Sequence, residues 1–315
     1  MSPFQKALEE YLALRRGLGA ELKRCGLALH RFIEFLARER ASRVTRELAI
    51  RWATQPAGAQ PSTWAARLGY VRGFANWLST VDGSTEVVPL KLLPYRFHRK
   101  PPHVYTDDEL LRLVCAARRL PSFRGLRGPS CATLLGLLAS TGLRLSEALA
   151  LDNGDVDLIA GVLHVRRTKF GKSRFIPVHE STWRALARYA RRRDEILPGR
   201  STDAFLVSDR GTRFGECAAR YNFAKVSREI GLRASAGGYR HGRGPRLHDM
   251  RHRFAAKRLV EWYRAGADVE REIPRLATYL GHVHVNETYW YIEAVPELLQ
   301  LATERLQKSR PEVRS

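Results

Sequence analysis

One proline-rich segment divides the chain into two parts with different sequence patterns. Residues 89–105, PLKLLPYRFHRKPPHVY, contain four prolines and several basic residues, with little periodicity. Proline fixes its own backbone and lacks an N–H donor, so this composition predicts an extended linker. With 315 residues, the chain is long enough for a separate domain on either side of it. We therefore expect a helical domain over residues 1–90, a basic linker over 91–105 and a second domain over 106–315.

The first part is typical of a small all-helical domain with four or five helices. Apolar residues recur at helical spacing within residues 4–12 and 29–36. Thr45 is a suitable N-cap for a helix over 45–54, and another helix is expected over 62–78. The exposed faces of these helices are expected to carry basic side chains, namely Arg15, Arg16, Lys23, Arg24, Arg31, Arg43, Arg67 and Arg72.

The second part mixes helices with short β-like runs. Two runs, Val162–Thr168 and Ser173–Val178, flank a turn that contains a glycine, which is a hairpin signal. A third strand is predicted at Phe205–Ser208. Helices are expected over residues 107–119, 130–141, 181–195, 215–230, 247–265 and 270–280. The fold class is therefore mainly α with a small β-sheet, in which an N-terminal helical domain precedes a mixed α/β domain.

The charge of the chain favours a nucleic-acid partner. The formal net charge is +22, from 54 basic and 32 acidic residues, and basic residues occur in every part of the chain. So many cations repel one another in a compact fold unless a polyanion binds, and nucleic acid is the commonest polyanion. A bias of genome composition toward arginine is the alternative explanation.

Other features argue against a secreted, membrane-spanning or metal-dependent protein. The four cysteines lie far apart and form no CxxC pair, so neither a disulfide framework nor a zinc site is expected. No run approaches the length of about 18 apolar residues that a transmembrane helix needs, and the N-terminus lacks a signal-peptide core. There is no GxxxxGK[ST] loop for ATP, and His282 and His284 lack a suitably spaced metal-ligand partner. We expect a soluble, cytoplasmic, nucleoid-associated protein without a cofactor.

Four short segments of the second part carry residues suited to chemistry on a phosphate. Each has an ordinary explanation on its own, such as a surface arginine, a solvated hairpin or a packed tyrosine. Their order along the chain is more informative. They are Thr141-Gly-Leu-Arg-Leu-Ser-Glu147, Thr168-Lys-Phe-Gly-Lys-Ser-Arg174, Leu247-His-Asp-Met-Arg-His252, and Leu280-Gly-His282 with Tyr291 nine residues later.

In this order and spacing, the chain resembles the tyrosine recombinase, or phage-integrase, family. The catalytic set of that family is Arg, Lys, His-x-x-Arg, His or Trp, and Tyr. The matching residues here are Arg144, Lys169, His248, Arg251, His282 and Tyr291, and Glu147 resembles the family's acidic support residue. The resemblance covers about residues 105–300, and the helical first part looks like the family's core-binding domain.

The resemblance implies phosphotyrosine chemistry. Tyr291 would attack the scissile phosphorus and give a 3′-phosphotyrosine and a free 5′-hydroxyl; the new bond keeps the phosphoester energy, so rejoining needs no ATP. Arg144 and Arg251 would clamp the phosphate, because a planar guanidinium offers paired hydrogen bonds and stays charged. Tyr289 is the rival nucleophile, although its spacing from His282 is two residues short.

Proton transfer and support require further residues. A phenol has a pKa of about 10, so an assisting base is expected, and His248 is the candidate. Lys169 on the hairpin would protonate the departing 5′-oxygen as general acid, with Lys172 as its rival. His282 would donate a hydrogen bond to the phosphate, and Glu147 would orient the basic cluster without touching DNA.

The expected partner is double-stranded DNA with specific recombination sites, bound mostly through phosphate contacts. The resemblance implies assembly as a tetramer on DNA, and the sequence around Tyr291 is most similar to members borne by transposons and other mobile elements. His241 is expected in a flexible basic loop near DNA. A C-terminal helix over 296–307 would dock either on a neighbouring subunit or on its own domain, through Leu298, Leu299, Ala302 and Leu306.

Two other functions stay open from the sequence. A type IB topoisomerase shares the phosphotyrosine chemistry, but the helical first part and the spacing between His282 and Tyr291 favour a recombinase. A DNA-binding protein without activity is the alternative outside catalysis, and the complete catalytic set argues against it. The sequence does not distinguish integration, excision, transposition and dimer resolution.

Overall fold

A computed structural model of the chain describes residues 2–20, 22–95, 101–166, 173–234, 244–293 and 296–309. They form two compact units, Met1–Lys100 and Pro101–Ser315, here called the N-terminal unit and the C-terminal unit. The boundary between the two units falls within the proline-rich segment. In the ranges just given, no helix combines the length and the apolar composition needed to cross a membrane.

The described residues of the N-terminal unit form four helices around an apolar core. These are α1 (Pro3–Gly17), α2 (Lys23–Arg38), α3 (Arg46–Thr54) and α4 (Pro61–Leu78). The cap expected for α3 is confirmed, since the Thr45 hydroxyl accepts the backbone N–H of Leu48 at 3.2 Å. In the core, Phe32 packs edge-on against Trp52 with ring centroids 5.3 Å apart. The helical pattern of the sequence therefore describes this unit well.

Arg67, expected on an exposed face, instead binds another helix. Its Nε donates to the carbonyl of Ala53 at 3.1 Å and its Nη2 donates to that of Trp52 at 2.7 Å. The guanidinium also lies 3.8 Å from the Trp52 ring centroid. Both carbonyls belong to the last turn of α3, where the helical hydrogen bonds end and the Trp52 carbonyl accepts only a long bond of 3.4 Å from the Gln55 N–H within the described main chain. Arg67 thus completes the end of α3, a contact that helical spacing alone does not indicate.

The C-terminal unit contains the remaining described α-helices. Where bounds were expected they agree closely, whereas the helix that carries Tyr291 was not predicted. The helices are α5 (Asp107–Arg118), α6 (Arg127–Thr141), α7 (Leu145–Ala150), α8 (Glu180–Ile196), α9 (Glu216–Glu229), α10 (Asp249–Arg264), α11 (Val269–Leu280), α12 (Asn286–Glu293) and α13 (Pro296–Ser309). The largest difference is the start of α6, expected at residue 130. It begins earlier because Asp209 Oδ1 accepts the backbone N–H groups of Leu126 and Arg127, each at 3.0 Å. A cap supplied from so far along the chain leaves no local sequence signal.

The expected hairpin is confirmed and forms part of a three-stranded antiparallel sheet. The strands, in spatial order, are β1 (Val156–Asp157), β2 (Val162–Val165) and β3 (Arg174–Pro177). Val165 pairs with Arg174 across β2 and β3, and Leu163 pairs with Ile176. The turn between these strands, residues 167–172, lies outside the described part of the chain.

The third strand predicted at Phe205–Ser208 is wrong. Its apolar residues are buried, but Val207 forms only an isolated bridge with Arg213, and the Phe205 N–H donates to the Leu151 carbonyl at 2.9 Å. An apolar run indicates burial without specifying a strand. The actual third strand is β1, which is too short to show a periodicity.

Helix α13 packs on its own unit. Leu298 is buried in an apolar cluster with residues of α10, α11 and α12, and Arg264 of α10 donates to Glu297 at 2.7 Å. Leu299 is exposed, so the expected apolar face is divided between core and surface. The side chain of Leu306 lies outside the described residues. The own-domain alternative agrees with this packing, and docking on a neighbouring subunit stays a prediction.

Candidate active site

The turn between α6 and α7 determines the position of Arg144. As predicted, α6 ends at Gly142, which has a left-handed backbone with φ of +64°, and Arg144 is the N-cap of α7. A side chain is excluded at this glycine, because a Cβ there would lie 2.7 Å from Cδ1 of Phe254. The glycine therefore allows the helix to end directly before the arginine.

Glu147 joins two arginines. The backbone N–H and Nη1 of Arg144 donate to its two carboxylate oxygens at 3.0 and 2.8 Å. Arg174, the first residue of β3, donates to the same two oxygens at 3.3 and 2.9 Å. Burial would raise the pKa of Glu147, but the hydrogen bonds and charges of Arg174 and Arg144 outweigh it and lower this pKa below its usual value. The carboxylate is thus charged and fully engaged within the protein.

Arg251 is held by main-chain carbonyls at the ends of two helices. It is 2% exposed, and its Nη1 and Nη2 donate to the carbonyls of Gly142 and Leu280 at 2.8 and 2.7 Å. Gly281, the C-cap of α11, accepts a further hydrogen bond from Arg144 Nη2 at 3.1 Å. Helix C-termini carry partial negative charge, which stabilises cations. The ends of α6 and α11 therefore hold both arginines.

Tyr291 lies on α12 beside His282 and Arg251. Its hydroxyl is 3.5 Å from His282 Nε2, and the two rings stack with centroids 5.9 Å apart. Burial lowers the pKa of Arg251, and the neighbouring Tyr291 hydroxyl opposes this shift. At the other nitrogen of the imidazole, Nδ1 lies 2.7 Å from Oγ1 of the buried residue Thr288. The interval of nine residues between His282 and Tyr291 thus brings the two side chains into contact.

The rival tyrosine, Tyr289, occupies another face of α12. Two residues along a helix correspond to a rotation of about 200°. Tyr289 is 42% exposed, whereas Tyr291 is 3% exposed. The structure therefore brings Tyr291 to His282 and leaves Tyr289 at the surface.

Both histidines of the site are surrounded by positive charge. His248 is the N-cap of α10 and is exposed as a whole residue. Its ring packs edge-on against the ring of His252, with centroids 4.8 Å apart. Reduced hydration of the ring, followed by the charge of Arg251, lowers the pKa of His248 to about 4. Burial and then the same arginine lower the pKa of His282 to about 3. Both rings are consequently neutral at neutral pH.

Some predicted residues lie outside the described part of the chain. Lys169 and its rival Lys172 belong to residues 167–172, and His241 belongs to 235–243. The structure brings together the other predicted residues, which are Arg144, Glu147, His248, Arg251, His282 and Tyr291. Within the described ranges, no group of three or more His, Cys, Asp or Glu side chains could hold a metal ion.

The sequence analysis gave no role to two residues of the site, Arg174 and Thr288. Arg174 closes the hairpin motif, and its position after a glycine turn gives no indication that it reaches Glu147. Thr288 lies six residues after His282, and its contact with the ring depends on the start of α12. Only the tertiary structure shows these contacts.

The cluster is suited to bind a phosphodiester. Arg144 and Arg174 share the Glu147 carboxylate, and Arg251 binds main-chain carbonyls, so the three arginines keep a net positive charge. Guanidinium groups bind phosphate oxygens with paired hydrogen bonds. A phenol that contacts this cluster can reach a phosphorus atom bound there.

Comparison with known proteins identifies the family. The model of the phage integrase family matches residues 104–297. A Sinorhizobium fredii protein named as an integrase/recombinase is 44% identical over 312 residues, which cover 98% of each chain. The chain belongs to the phage integrase family. The tyrosine recombinase XerD of Neisseria meningitidis is 30% identical to this family member over 244 residues, which cover 77% of the chain and 76% of XerD.

Solved structures show the fold of this phage-integrase family member. The Tn1549 transposon integrase, solved in complex with transposon right-end DNA, has a TM-score of 0.63 at 17% identity, covering 96% of this chain and 99% of that one. The XerH site-specific recombinase, solved bound to a palindromic difH substrate, has a TM-score of 0.63 at 16% identity, covering 90% and 78%. The mainly helical fold with its small sheet is therefore that of the tyrosine recombinases, the enzymes that cleave and rejoin DNA.

Proposed function

We propose that the protein is a site-specific recombinase that cuts and rejoins double-stranded DNA through a 3′-phosphotyrosine on Tyr291. The observation that carries this proposal is the contact of the Tyr291 hydroxyl with His282 Nε2, at 3.5 Å, in the neighbourhood of Arg251. A nucleophile beside two potential phosphate ligands is the arrangement that the reaction requires.

Arg144 and Arg251 bind the non-bridging oxygens of the scissile phosphate in this proposal. A guanidinium has five N–H donors, so the bonds to carbonyl oxygens orient each group without using all of its donors. Their charge stabilises the additional negative charge that develops on the phosphate in the transition state. Glu147 orients Arg144 from the side of the protein.

Cleavage forms one bond and breaks one. The Tyr291 oxygen attacks phosphorus, the bond from phosphorus to the 5′-oxygen breaks, and the protein remains on the 3′ side. His248 accepts the phenol proton, and Lys169, with Lys172 as its rival, donates a proton to the departing 5′-oxygen. His282 donates a hydrogen bond to the phosphate. Rejoining is the reverse of these steps.

The histidine pKa values support this assignment. At neutral pH, His248 is neutral and can accept a proton, because its pKa is lowered to about 4. A bound phosphate places negative charge near both imidazoles, which raises their pKa values and strengthens His248 as a base. Since Tyr291 is 3% exposed in the free chain, DNA binding must also uncover the phenol before attack.

The partner is double-stranded DNA with specific sites, on which the protein assembles as a tetramer. The net charge of +22 supports a polyanionic partner. The related transposon integrase and XerH were solved with DNA, which supports the same class of partner and a mobile-element origin. The N-terminal unit acts as the core-binding domain, the C-terminal unit as the catalytic domain, and the protein works in the cytoplasm on nucleoid DNA.

A nicked suicide substrate tests the reaction. A duplex built from DNA flanking the gene, nicked just 3′ of the cleavage position, releases the short fragment that carries the free 5′-hydroxyl and so traps the covalent intermediate. An SDS-resistant adduct is expected with the native protein and with Tyr289→Phe, but not with Tyr291→Phe. Tight binding without any adduct would support DNA binding without chemistry. Cleavage without synapsis of two duplexes would support a topoisomerase.

A further inference from the structure

Arg174 is part of the arginine cluster but has no role in the reaction proposed above. Its Nε donates to the carbonyl of Tyr279 at 2.8 Å, and its two terminal nitrogens contact both oxygens of Glu147 at 3.3 and 2.9 Å. Resting on the recombinase function, we propose that Arg174 is a positioning residue that keeps Arg144 available to the scissile phosphate.

All three nitrogens of the Arg174 guanidinium donate to acceptors of the protein, two of them to a carboxylate, which suits a positioning role. Its side chain is 12% exposed, against 28% for Arg144. Its guanidinium also lies against Gly281, where a Cβ would stand 2.7 Å from Arg174 Nη1. Main chain, carboxylate and glycine therefore surround the group, and its donors are directed to acceptors within the protein.

The sharing of one carboxylate explains how Arg174 acts on Arg144. Glu147 carries a single negative charge and accepts hydrogen bonds from both arginines. A guanidinium and a carboxylate form a strong two-bonded pair when nothing competes. Arg174 forms this pair, so the guanidinium of Arg144 contacts Glu147 through Nη1 and donates from Nη2 to the Gly281 carbonyl.

Removal of Arg174 would change how the Arg144 guanidinium divides its hydrogen bonds between Glu147 and Gly281. The Glu147 carboxylate would then have only Arg144 as a cationic partner among these contacts, and both terminal nitrogens of Arg144 would turn toward it. The guanidinium would move off the Gly281 carbonyl and away from the phosphate position. A displacement of about 1 Å of a catalytic group can lower a rate by about 100-fold.

The test compares Arg174→Met with Arg166→Met in the full-length protein. Arg166 lies just after β2, on the other side of the same hairpin, and pairs with Asp155 at 2.6 Å, away from Glu147. The measurement is the rate of adduct formation on the nicked duplex at saturating DNA, with DNA affinity and urea denaturation measured alongside. Arg174→Met is expected to lower the rate by about 10- to 100-fold with little change in affinity, and Arg166→Met to leave the rate near the native value. A native rate for Arg174→Met overturns the proposal.

Two further measurements separate positioning from a general loss of structure. On a duplex with a neutral methylphosphonate at the scissile position, cationic stabilisation matters less, so the defect of Arg174→Met is expected to shrink. In the double variant, the rate loss caused by Arg174→Met should not add to the rate loss caused by Glu147→Gln, because both substitutions remove the same contact. An equal defect on the neutral substrate, or full additivity, overturns the proposal.

A DNA-free measurement keeps this proposal distinct from the recombinase function. If the native protein forms no adduct, the recombinase function fails, and the arginine cluster can still be tested with inorganic phosphate. Binding is followed by NMR through the ring signals of His248 and His282. Weaker phosphate binding by Arg174→Met than by the native protein and Arg166→Met supports the positioning role. Equal binding by all three overturns it.

Discussion

The Oγ1 atom of Thr288 lies 2.7 Å from Nδ1 of His282, while the Tyr291 hydroxyl lies 3.5 Å from Nε2 of the same ring. In a neutral imidazole one nitrogen donates and the other accepts, so the partner of Nδ1 determines the proton at Nε2. When the threonine hydroxyl donates to Nδ1, Nε2 carries the proton and can donate to a phosphate oxygen. A threonine hydroxyl can also accept, so Thr288 orients the ring and is compatible with the form of His282 that the proposed reaction needs.

Replacement of Thr288 by valine removes this hydroxyl while keeping the side-chain shape. We expect adduct formation to fall by about tenfold or more, because His282 loses the hydrogen-bond partner that orients its ring. Stability should fall by about 1–2 kcal/mol from the lost buried hydrogen bond. Thr288→Ser, which keeps the hydroxyl, should recover most of the rate. A native rate for the valine variant would show that the hydroxyl does not direct the ring.

Gly142→Ala tests the turn before Arg144. A Cβ at this position would lie 2.7 Å from Phe254 Cδ1, and the backbone φ of +64° disfavours a side chain. We expect a loss of about 1–3 kcal/mol of stability and strongly reduced cleavage. Gly136→Ala, also in α6, has open space around its Cβ and should stabilise the helix by about 0.5–1 kcal/mol. Urea denaturation of both variants gives the comparison, and equal stability changes would contradict it.

The histidines make stability depend on pH in the mildly acidic range. Their folded pKa values, about 4 for His248 and about 3 for His282, lie below the ordinary 6.5. As pH falls below about 6.5, the unfolded chain binds protons before the folded chain does, so acid favours unfolding. We expect the urea concentration at the unfolding midpoint of the native protein to decrease as the pH is lowered from about 6.5 toward 4.

Controls assign this dependence to its residues. His282→Asn should reduce the slope between pH 6.5 and 4.5. Glu147 has a lowered pKa, so its stabilisation is complete above its ordinary value of 4.5 and is lost only as pH falls through the folded pKa. Glu147→Gln should therefore change the pH profile below 4.5 and leave the slope above it. The same slope in the native protein and in His282→Asn would exclude the histidine explanation.

Two arginines of the N-terminal unit should respond differently to alanine substitution. Arg67 binds the last carbonyls of α3 and stacks on Trp52, so Arg67→Ala is expected to lower stability by about 1–3 kcal/mol. Arg43 is exposed, so Arg43→Ala should leave stability within about 0.5 kcal/mol. If Arg43 contacts a phosphate, its loss weakens DNA binding and reduces the salt slope by about 1. Denaturation and binding at several salt concentrations distinguish these outcomes, and a reversed pattern would contradict both roles.

The sequence predicted most of the helices because their signals are local. Thr45 and the repeated apolar residues of α4 lie within the segment that they stabilise, so periodicity and caps were sufficient. The start of α6 depends on Asp209, and β1 depends on pairing with β2, both of which require distant residues. The error at Phe205–Ser208 has the same origin, since burial was visible in the sequence and strand pairing was not.

The candidate site likewise contains residues that the sequence indicated and residues that it did not. Residues that resemble the family's set in order and spacing were found, and six of them come together in the structure. Arg174 and Thr288 were not given roles, because each acts on another side chain rather than on the substrate. Arg174 and its partner Glu147 are 27 residues apart in the chain. The contact of Thr288 with His282 depends on where α12 begins, and no motif spacing encodes either relationship.

The oxygens that hold Arg251 belong to the backbone of Gly142 and Leu280. Every amino acid has this carbonyl, so a substitution at Leu280 changes the side chain and keeps the acceptor. A substitution at Leu280 therefore keeps the hydrogen bond to the arginine. The two glycines that end the helices, Gly142 and Gly281, do not tolerate substitution in this way, because their backbone conformation requires glycine. Laboratory evolution of this enzyme toward new DNA sites can replace Leu280 by another apolar residue of similar volume, and should leave both glycine positions untouched.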